Sequence, residues 1–463
     1  MTGEGGEITA LRAMIAEQAK VIEQLRSENE HLRRLLDEER RNGKRQAAPF
    51  SKGAPKVNPK KPGRKPGTKY GRQSRRAVPR KIDDHVVVEC PLMCPYCDGE
   101  VKLNGEVGRQ YQTDIPIIEP ATTEFEIQYG RCTQCGRRVQ GRVPEQTSNA
   151  AGDVGAVQIG PNAVALAAHL NKNCGMSYGR IAEIFALVFN LAVSRSTLTR
   201  ALLRLARKAE PTFEDLIEQI RRSAVVYPDE TGWKIGGMKA WLWTATTLTA
   251  TVYVIERGRG YPEAVKILGE AFEGVLGADG WGPYRRFTQA ERQLCLAHLL
   301  RRCRELLQAP PTSDCAAYFT AIKAVLQAAL ALRDRRDAGT ISERGLAISE
   351  GRIEARFDRL LDDPDLHDES LRFARHLLRN REAIFTFLDR SDVEATNHLA
   401  EQAIRPAVIN RKMSGGNRTE NGARAQAVLT SVLRTCKLRC VSAMDAFKKL
   451  LCMPVPVPIL KSR

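Results

Sequence analysis

The sequence predicts a multidomain chain whose centre is an α/β unit interrupted by a helical insertion. A coiled-coil helix, a small cysteine-bearing β module and a helical segment are expected ahead of it. Three observations predict this layout. A heptad of apolar residues runs through positions 8–36, and two Cys-x-x-Cys pairs follow a long stretch free of acids. After residue 223, short β-branched runs each lead to an acidic residue, which is how a strand presents a carboxylate at its end.

With 463 residues the chain can hold two or three domains and bury a substantial core. A formal net charge of +18 points to a polyanionic partner, most simply nucleic acid. Most of the 12 cysteines outside the two pairs are scattered singly, which suits a reducing compartment and one metal site better than a disulfide framework. Neither a secretory leader pattern nor a run of about 18 apolar residues is found, so a cytoplasmic location is expected.

Residues 8–40 read as a coiled coil. Ile8, Ile15, Ile22, Asn29 and Leu36 fall at a, and Leu11, Gln18, Leu25 and Leu32 at d. Ile at a with Leu at d favours a parallel pair, and an Asn at a fixes its register, so a homodimer is expected. A lone amphipathic helix packed on its own domain is the alternative. Residues 41–82 carry fifteen Lys or Arg and no acid, with Pro and Gly interspersed. Such a segment builds no core and is expected to be a flexible basic arm, with Arg64 and Lys65 touching DNA phosphates or entering a minor groove.

Residues 83–150 hold Cys94, Cys97, Cys132 and Cys135, with 34 residues between the pairs. Two thiolates from each pair can close a tetrahedral zinc site with no open position, so one structural zinc ion is expected; Cys90 is a spare ligand. Residues 155–222 read as helices. Ser194 is a good N-cap for a helix from Arg195 to Lys208, following a helix that contains Tyr178–Phe185. The pair is helix-turn-helix-like, and Arg195, Thr199 and Arg200 would face DNA. An ordinary helical connector is the alternative.

The α/β core is expected over 223–298 and 391–425, with 299–390 as a helical insertion and 426–463 as a helical tail. The first strand ends at Asp229, and strands over 240–246 and 250–255 follow. Next come a helix over 262–268, a short strand at 274–276 delivering Asp279, and a fifth strand over 292–296. Three antiparallel strands, a helix and a further strand, with carboxylates on strands one and four, describe a ribonuclease H-like domain. Asn397 to Arg405 reads as an amphipathic helix that Pro406 ends, with Glu401 on the flank of its polar arc. Asp229, Asp279 and Glu401 then form one set of hard oxygen donors suited to two Mg²⁺ or Mn²⁺ ions, the arrangement that serves phosphodiester chemistry. Side chains alternate along a strand, so Glu230 should point away from that site.

These residues carry a resemblance. Asp229-Glu-Thr-Gly-Trp233, Ala278-Asp279-Gly280-Trp281 with Tyr284, Cys295-Leu-Ala-His298, Asn397-His-Leu-Ala-Glu401 and Arg411-Lys412-Met413-Ser414-Gly415-Gly416-Asn417-Arg418 resemble the transposases of the insertion sequence 66 family. The coiled coil, basic arm and four-Cys module are similar in order and spacing. The resemblance implies a DDE transposase that binds double-stranded DNA at element ends, cleaves it and transfers strands, with accessory proteins of the same element as further partners. Asp229, Asp279 and Glu401 match the acidic triad. Arg405, Lys412 and Arg418 are expected to grip the strand, Trp233 to stack on a displaced base or else to pack in the core of its strand, and Asn397, Cys295 and His298 to support the site. A nuclease without joining activity and a non-catalytic DNA-binding protein are the alternatives.

Overall fold

In the computed structural model of the chain, residues 17–29, 31–32, 77–116, 118–147 and 158–461 are described. They belong to two compact units, Met1–Asp114 and Ile115–Arg463. In the first unit, residues 17–29 form a helix (α1) that is exposed along its length. Its heptad residues Ile22 and Leu25 are 50% and 55% exposed, so among the described residues the apolar stripe is left uncovered. Ile8, Leu11, Ile15 and Leu36 lie outside the described residues, as do Arg64, Lys65 and most of the basic arm.

The second unit opens with a two-stranded hairpin, β1 (Tyr129–Arg131) and β2 (Arg138–Gln140). Three helices follow: α2 (Pro161–Lys172), α3 (Tyr178–Phe189) and α4 (Arg195–Arg221). Ser194 caps α4 as expected, its side chain accepting the Thr197 N–H at 3.1 Å. The helix does not stop at Lys208, however; it continues through Pro211 for 27 residues. Leu198, Leu202, Leu205, Ala209, Phe213, Leu216 and Ile220 recur at helical spacing and are all buried. That continuous apolar stripe outweighs the one N–H the proline removes. It also merges the helical segment with the sheet: Leu205, Phe213, Trp243, Val252 and Val428 belong to one core.

The sheet has five strands in the order β5-β4-β3-β6-β7. They are β3 (Val225–Ile235), β4 (Met238–Thr246), β5 (Thr251–Glu256), β6 (Val275–Ala278) and β7 (Glu291–Leu294), with α5 (Tyr261–Leu268) before β6. β3, β4 and β5 run antiparallel, whereas β6 and β7 run parallel to β3. The first strand is longer than expected: it passes through Asp229 to Ile235 and pairs with β4 from Tyr227 to Ile235. Its ladder with β6 covers only Val225 and Val226. Pro228, lacking an N–H, comes just beyond that point.

From β7 the chain enters the insertion: α6 (Leu296–Leu306), α7 (Ser313–Asp337), α8 (Glu343–Leu361), α9 (Asp368–Leu378) and α10 (Thr386–Asp389). Its core, including Phe319, Phe357, Phe373 and Leu377, is continuous with Val275 of β6 and Leu294 of β7. By length and composition α7 is apolar enough to cross a membrane, unlike the sequence expectation. Its Phe319, Ile322, Val325, Leu326 and Ala329 are buried within the insertion.

The chain returns to the sheet with α11 (His398–Ser414), α12 (Glu420–Leu438) and α13 (Ala443–Cys452). Pro406 does not end α11, contrary to expectation. It cannot donate to the Gln402 carbonyl four residues back, and that carbonyl instead accepts from Arg434 Nη2 of α12 at 3.5 Å.

Gly277 sits in β6 where a Cβ would lie 2.5 Å from the ring of Tyr227. Gly277→Ala should therefore destabilise the protein by about 1–3 kcal/mol. The readout is a lower urea midpoint at unchanged m; a midpoint equal to wild type would contradict the close approach.

Candidate active site

The site begins where β3 and β6 part. Beyond the last shared pair, Val226 with Leu276, each strand carries its acid free of the other's ladder: Asp229 within β3, and Asp279 one residue past β6. Glu401 arrives from the first turn of α11. The three carboxylates lie close enough for the charges of Asp279 and Glu401 to act on Asp229. Burial, and then the neighbouring charges of Glu230, Asp279 and Glu401, push the Asp229 carboxyl up to about 7 against the pull of the Glu230 N–H. Asp229 Oδ1 accepts that N–H at 2.8 Å, and Asp279 Oδ1 accepts the Trp281 N–H at 3.0 Å. Among the described residues no three carboxylate, imidazole or thiol groups converge closely enough to form a ready-made metal cage. The donor set is nonetheless one of hard oxygens with crowded negative charge, the chemistry that a divalent cation of the Mg²⁺ class neutralises.

Asn397 ties the elements together. Its side-chain amide donates to the Pro228 carbonyl at 3.0 Å, and its backbone N–H donates to the Cys295 thiol at 3.2 Å. Cys295 itself hangs from β6, donating its N–H to the Ala278 carbonyl at 2.8 Å. Burial pushes the Cys295 thiol up, but His298 and the Asn397 N–H together outweigh it and leave it lowered. The same contact with Cys295 raises His298, whose Nε2 lies 4.0 Å from Glu401 Oε1. Cys295 and His298 thus connect the strand bearing Asp279 to the helix bearing Glu401.

Glu230 has a different fate from its neighbour. Its carboxylate accepts two bonds from Arg259, at 3.0 and 2.7 Å, and one from the Tyr284 hydroxyl at 3.1 Å. Arg259 in turn stacks over Trp241 and Trp281, 4.5 and 4.9 Å from their ring centres. Glu230 is therefore occupied in holding the turn after Asp279 against β3, although it still feels the charge of Asp279.

α11 is fixed to the sheet by three ties. Ile404 and Ala407 pack with Trp233, Ile235, Leu242 and Tyr253. The Tyr253 hydroxyl donates to the Ala403 carbonyl at 2.5 Å, and Arg411 Nη1 donates to Thr231 Oγ1 at 2.9 Å and to the Gly232 carbonyl. Of the two readings of Trp233, the structure has core packing and not a face offered to a base. Trp233 is 3% exposed and donates through Nε1 to Asn417 Oδ1 at 2.8 Å, anchoring the turn after α11. Gly416 belongs to that turn; its φ of +117° and a Cβ position 2.4 Å from the Lys234 carbonyl admit only glycine.

Arg405, Lys412 and Arg418 are exposed near this helix and turn. Arg195 and Arg200 are exposed at the start of α4, distant in sequence from the carboxylates, with Arg195 lying across Gly179 of α3. The two cysteine pairs sit in matching turns, one in each compact unit. The Cys94 carbonyl accepts the Asp98 N–H, and the Cys132 carbonyl accepts the Gly136 N–H, both at 2.9 Å. Asp98 and Gly136 both have positive φ. Backbone N–H groups and the second thiol of each pair lower Cys94 and Cys132, favouring thiolates.

Arg411 and Arg259 were not singled out from the sequence. Arg411 was discoverable, because it lies one helical repeat beyond Ile404 and Ala407 on the face that α11 buries. Arg259 carries no such signal, since its partner Glu230 is 29 residues earlier.

The mixed sheet thus gathers one carboxylate from a strand, one from the end of the neighbouring strand and one from a helix. The sequence model of the family described as "Transposase IS66 family" matches residues 156–425, more than half of the chain. The chain belongs to that family. A curated relative from Sinorhizobium fredii, named "Uncharacterized protein y4qI", is 25% identical over 291 residues. The match covers 57% of this chain and 54% of the relative, so the chain spans about half the length of the relative it matches.

The Asp229 carboxyl titrates near 7 in the folded chain and near ~3.9 when unfolded. Between those values the folded state holds more protons than the unfolded state, so this group's contribution to stability falls as pH rises. Without divalent metal, Asp229→Asn should melt above wild type at about pH 8, and the gap should narrow towards about pH 5. A gap independent of pH in thermal melts would contradict the buried, raised carboxyl.

Proposed function

We propose that the chain is a DDE transposase that cleaves DNA at the ends of an insertion sequence and joins the exposed 3′-hydroxyls to target DNA. The observation that carries this reading is the contrast between two adjacent acids. Glu230 has Arg259 to balance it, while Asp229 is left among like charges with no basic partner among the described residues. A structural ion pair would have been balanced; a carboxylate kept unbalanced is poised for a cation. The sheet order, with three antiparallel strands flanked by two parallel ones, supports a ribonuclease H-like reading of the core.

Asp229, Asp279 and Glu401 are the residues that would hold Mg²⁺ or Mn²⁺. When bound, such ions activate a water or 3′-hydroxyl and relieve charge on the transferring phosphoryl group. The chain's own residues set the stage. Asn397 holds β3 and α11 at a fixed separation through Pro228, and His298 can hold a proton at Nε2 beside Glu401. Arg405, Lys412 and Arg418, exposed beyond Glu401, supply cations for the strand's phosphates. Arg64, Lys65, Arg195 and Arg200 would add duplex contacts away from the site.

A structural zinc ion on Cys94, Cys97, Cys132 and Cys135 and a homodimer through the heptad complete the proposal. The knuckle turns, with lowered Cys94 and Cys132, suit thiolate ligation. The bacterial cytoplasm is the expected compartment, where element-encoded accessory proteins would be further partners.

Purified protein given a labelled element end and Mg²⁺ should cut it and transfer the strand. Asp229→Asn should abolish both activities while binding survives; an Asp229→Asn protein that still cuts would place the chemistry elsewhere. Metal analysis should find about one zinc per chain, lost in a Cys94→Ser/Cys132→Ser variant. Zinc content unchanged by that double substitution would refute the four-cysteine site.

A further inference from the structure

We propose that the outer face of the insertion, where α6 and α9 meet the turn after Asp279, is a surface for the phosphate backbone of double-stranded DNA. The inference rests on reading the chain as a DNA-processing enzyme, and it assigns a role to a region which that reading leaves empty.

A cleft of about 390 Å³ opens between α6 and α9, lined by Arg302, Leu306, Glu369, Arg372, Phe373 and His376. Among the described residues Arg302 and Arg372 pair only with acids on their own helices, Glu305 at 3.9 Å and Glu369 at 3.2 Å, and both arginines are largely exposed. Pairs of that kind contribute little and exchange readily for a phosphate. Further arginines border the cleft. Arg285, from the turn after Asp279, and Arg379, at the end of α9, are exposed. Neither they nor Arg292 of β7 has an ion-pair partner among the described residues.

The crowding leaves a signature on His376. Burial, then Arg379, Arg285 and Arg302, hold its imidazole below the ordinary histidine range. Burial and then the charge of Arg285 lower Arg292 as well, with Glu382 as partial relief. Positive charge gathered here thus exceeds the nearby Glu305, Glu369 and Glu382, in a chain whose net charge is +18. Guanidinium groups pair with phosphate oxygens in bidentate fashion.

The surface also leads to the site. A second, narrow cleft is lined by Ala278, Gly280 and Trp281 on one side and by Arg285, Arg292 and Asn380 on the other. Ala278 and Gly280 flank Asp279, so Arg285 and Arg292 border the loop that carries that acid, and the charge of Arg285 also reaches His376 in the first cleft. A duplex lying across α6 and α9 is directed towards Asp279 from the β7 edge of the sheet. An acidic protein partner would find the same charge, but not a reason for its place beside the Asp279 loop.

The test uses the full chain, a short non-specific DNA duplex and no divalent metal. Binding is read by fluorescence anisotropy over a salt series. Arg302→Glu/Arg372→Glu/Arg379→Glu should weaken binding at least ~10-fold and reduce the salt slope by about 2–3, near 0.9 for each phosphate no longer neutralised. Arg344→Glu/Arg352→Glu/Arg359→Glu, an equal charge change on α8, should shift binding far less. A photo-crosslinking residue in place of Arg375 should capture the labelled duplex, and unlabelled competitor should suppress that capture. Equal losses in the two triple variants, wild-type binding by the first, or no crosslink to DNA would each overturn the proposal. If these results hold but the wild type never cleaves DNA, the enzymatic reading fails alone. If cleavage is normal and the α6–α9 variant binds as wild type, only this inference fails.

Discussion

The hydrogen bond from Asn397 to the Pro228 carbonyl is the constraint on which the site depends. β3 cannot carry its ladder with β6 past Pro228, so the two strands separate at the point where their acids emerge. A gap between parallel strands would ordinarily leave backbone groups unpaired, at a cost of about 1–3 kcal/mol each when buried. Asn397 takes the exposed carbonyl of one strand, and its backbone reaches Cys295, which hangs from the other. The same residue immediately precedes the helix that brings Glu401. One side chain therefore sets the distance between strands and the position of the third carboxylate together. That is why a buried amide with one unsatisfied oxygen is tolerated here.

Around this constraint the electrostatics are divided between two neighbours on one strand. Glu230 is drawn into an ordered set with Arg259, Tyr284, Trp241 and Trp281, which fastens the Asp279 turn to β3. Asp229 receives no such balance and is raised to about 7 by burial and nearby acids. The two roles need each other. Without the Glu230 set, mutual repulsion between the acids would push the Asp279 loop outward; without the unbalanced Asp229, the cluster would have no reason to attract a cation. Stability is sacrificed at one residue and recovered at the next, a division common at functional sites.

Much of this was legible in the sequence, for reasons that also explain what was not. The β-branched runs around Val225, Val252 and Val275 marked strands because their burial is local and periodic, and Ser194 marked a helix start because its cap is made three residues away. The acids at 229, 279 and 401 stood out by their position after apolar runs or on a helix flank. Helix ends were misread at Lys208 and Pro406, since a long buried stripe carries the first helix on through Pro211 and Arg434 takes the carbonyl freed in the second. The choice between the two readings of Trp233 stayed open because its partner Asn417 is 184 residues away. Local pattern reports what a segment does with its own backbone; it is silent on bonds that only the finished fold can close.

The insertion shows how far this dependence extends. α6 starts one residue after Cys295, so the same short segment ends the sheet, supports the carboxylates and begins the insertion. The insertion core is continuous with Val275 and Leu294, which lie at opposite ends of the β6–β7 ladder. Gln293 of β7 reaches back to it as well, donating to the Ile384 carbonyl at 3.2 Å and accepting the Phe387 N–H at 2.9 Å. An appendage joined by flexible loops could move without disturbing the acids. This one shares its packing with the strand that leads to Asp279, and close-packed interiors do not let one side shift independently of the other.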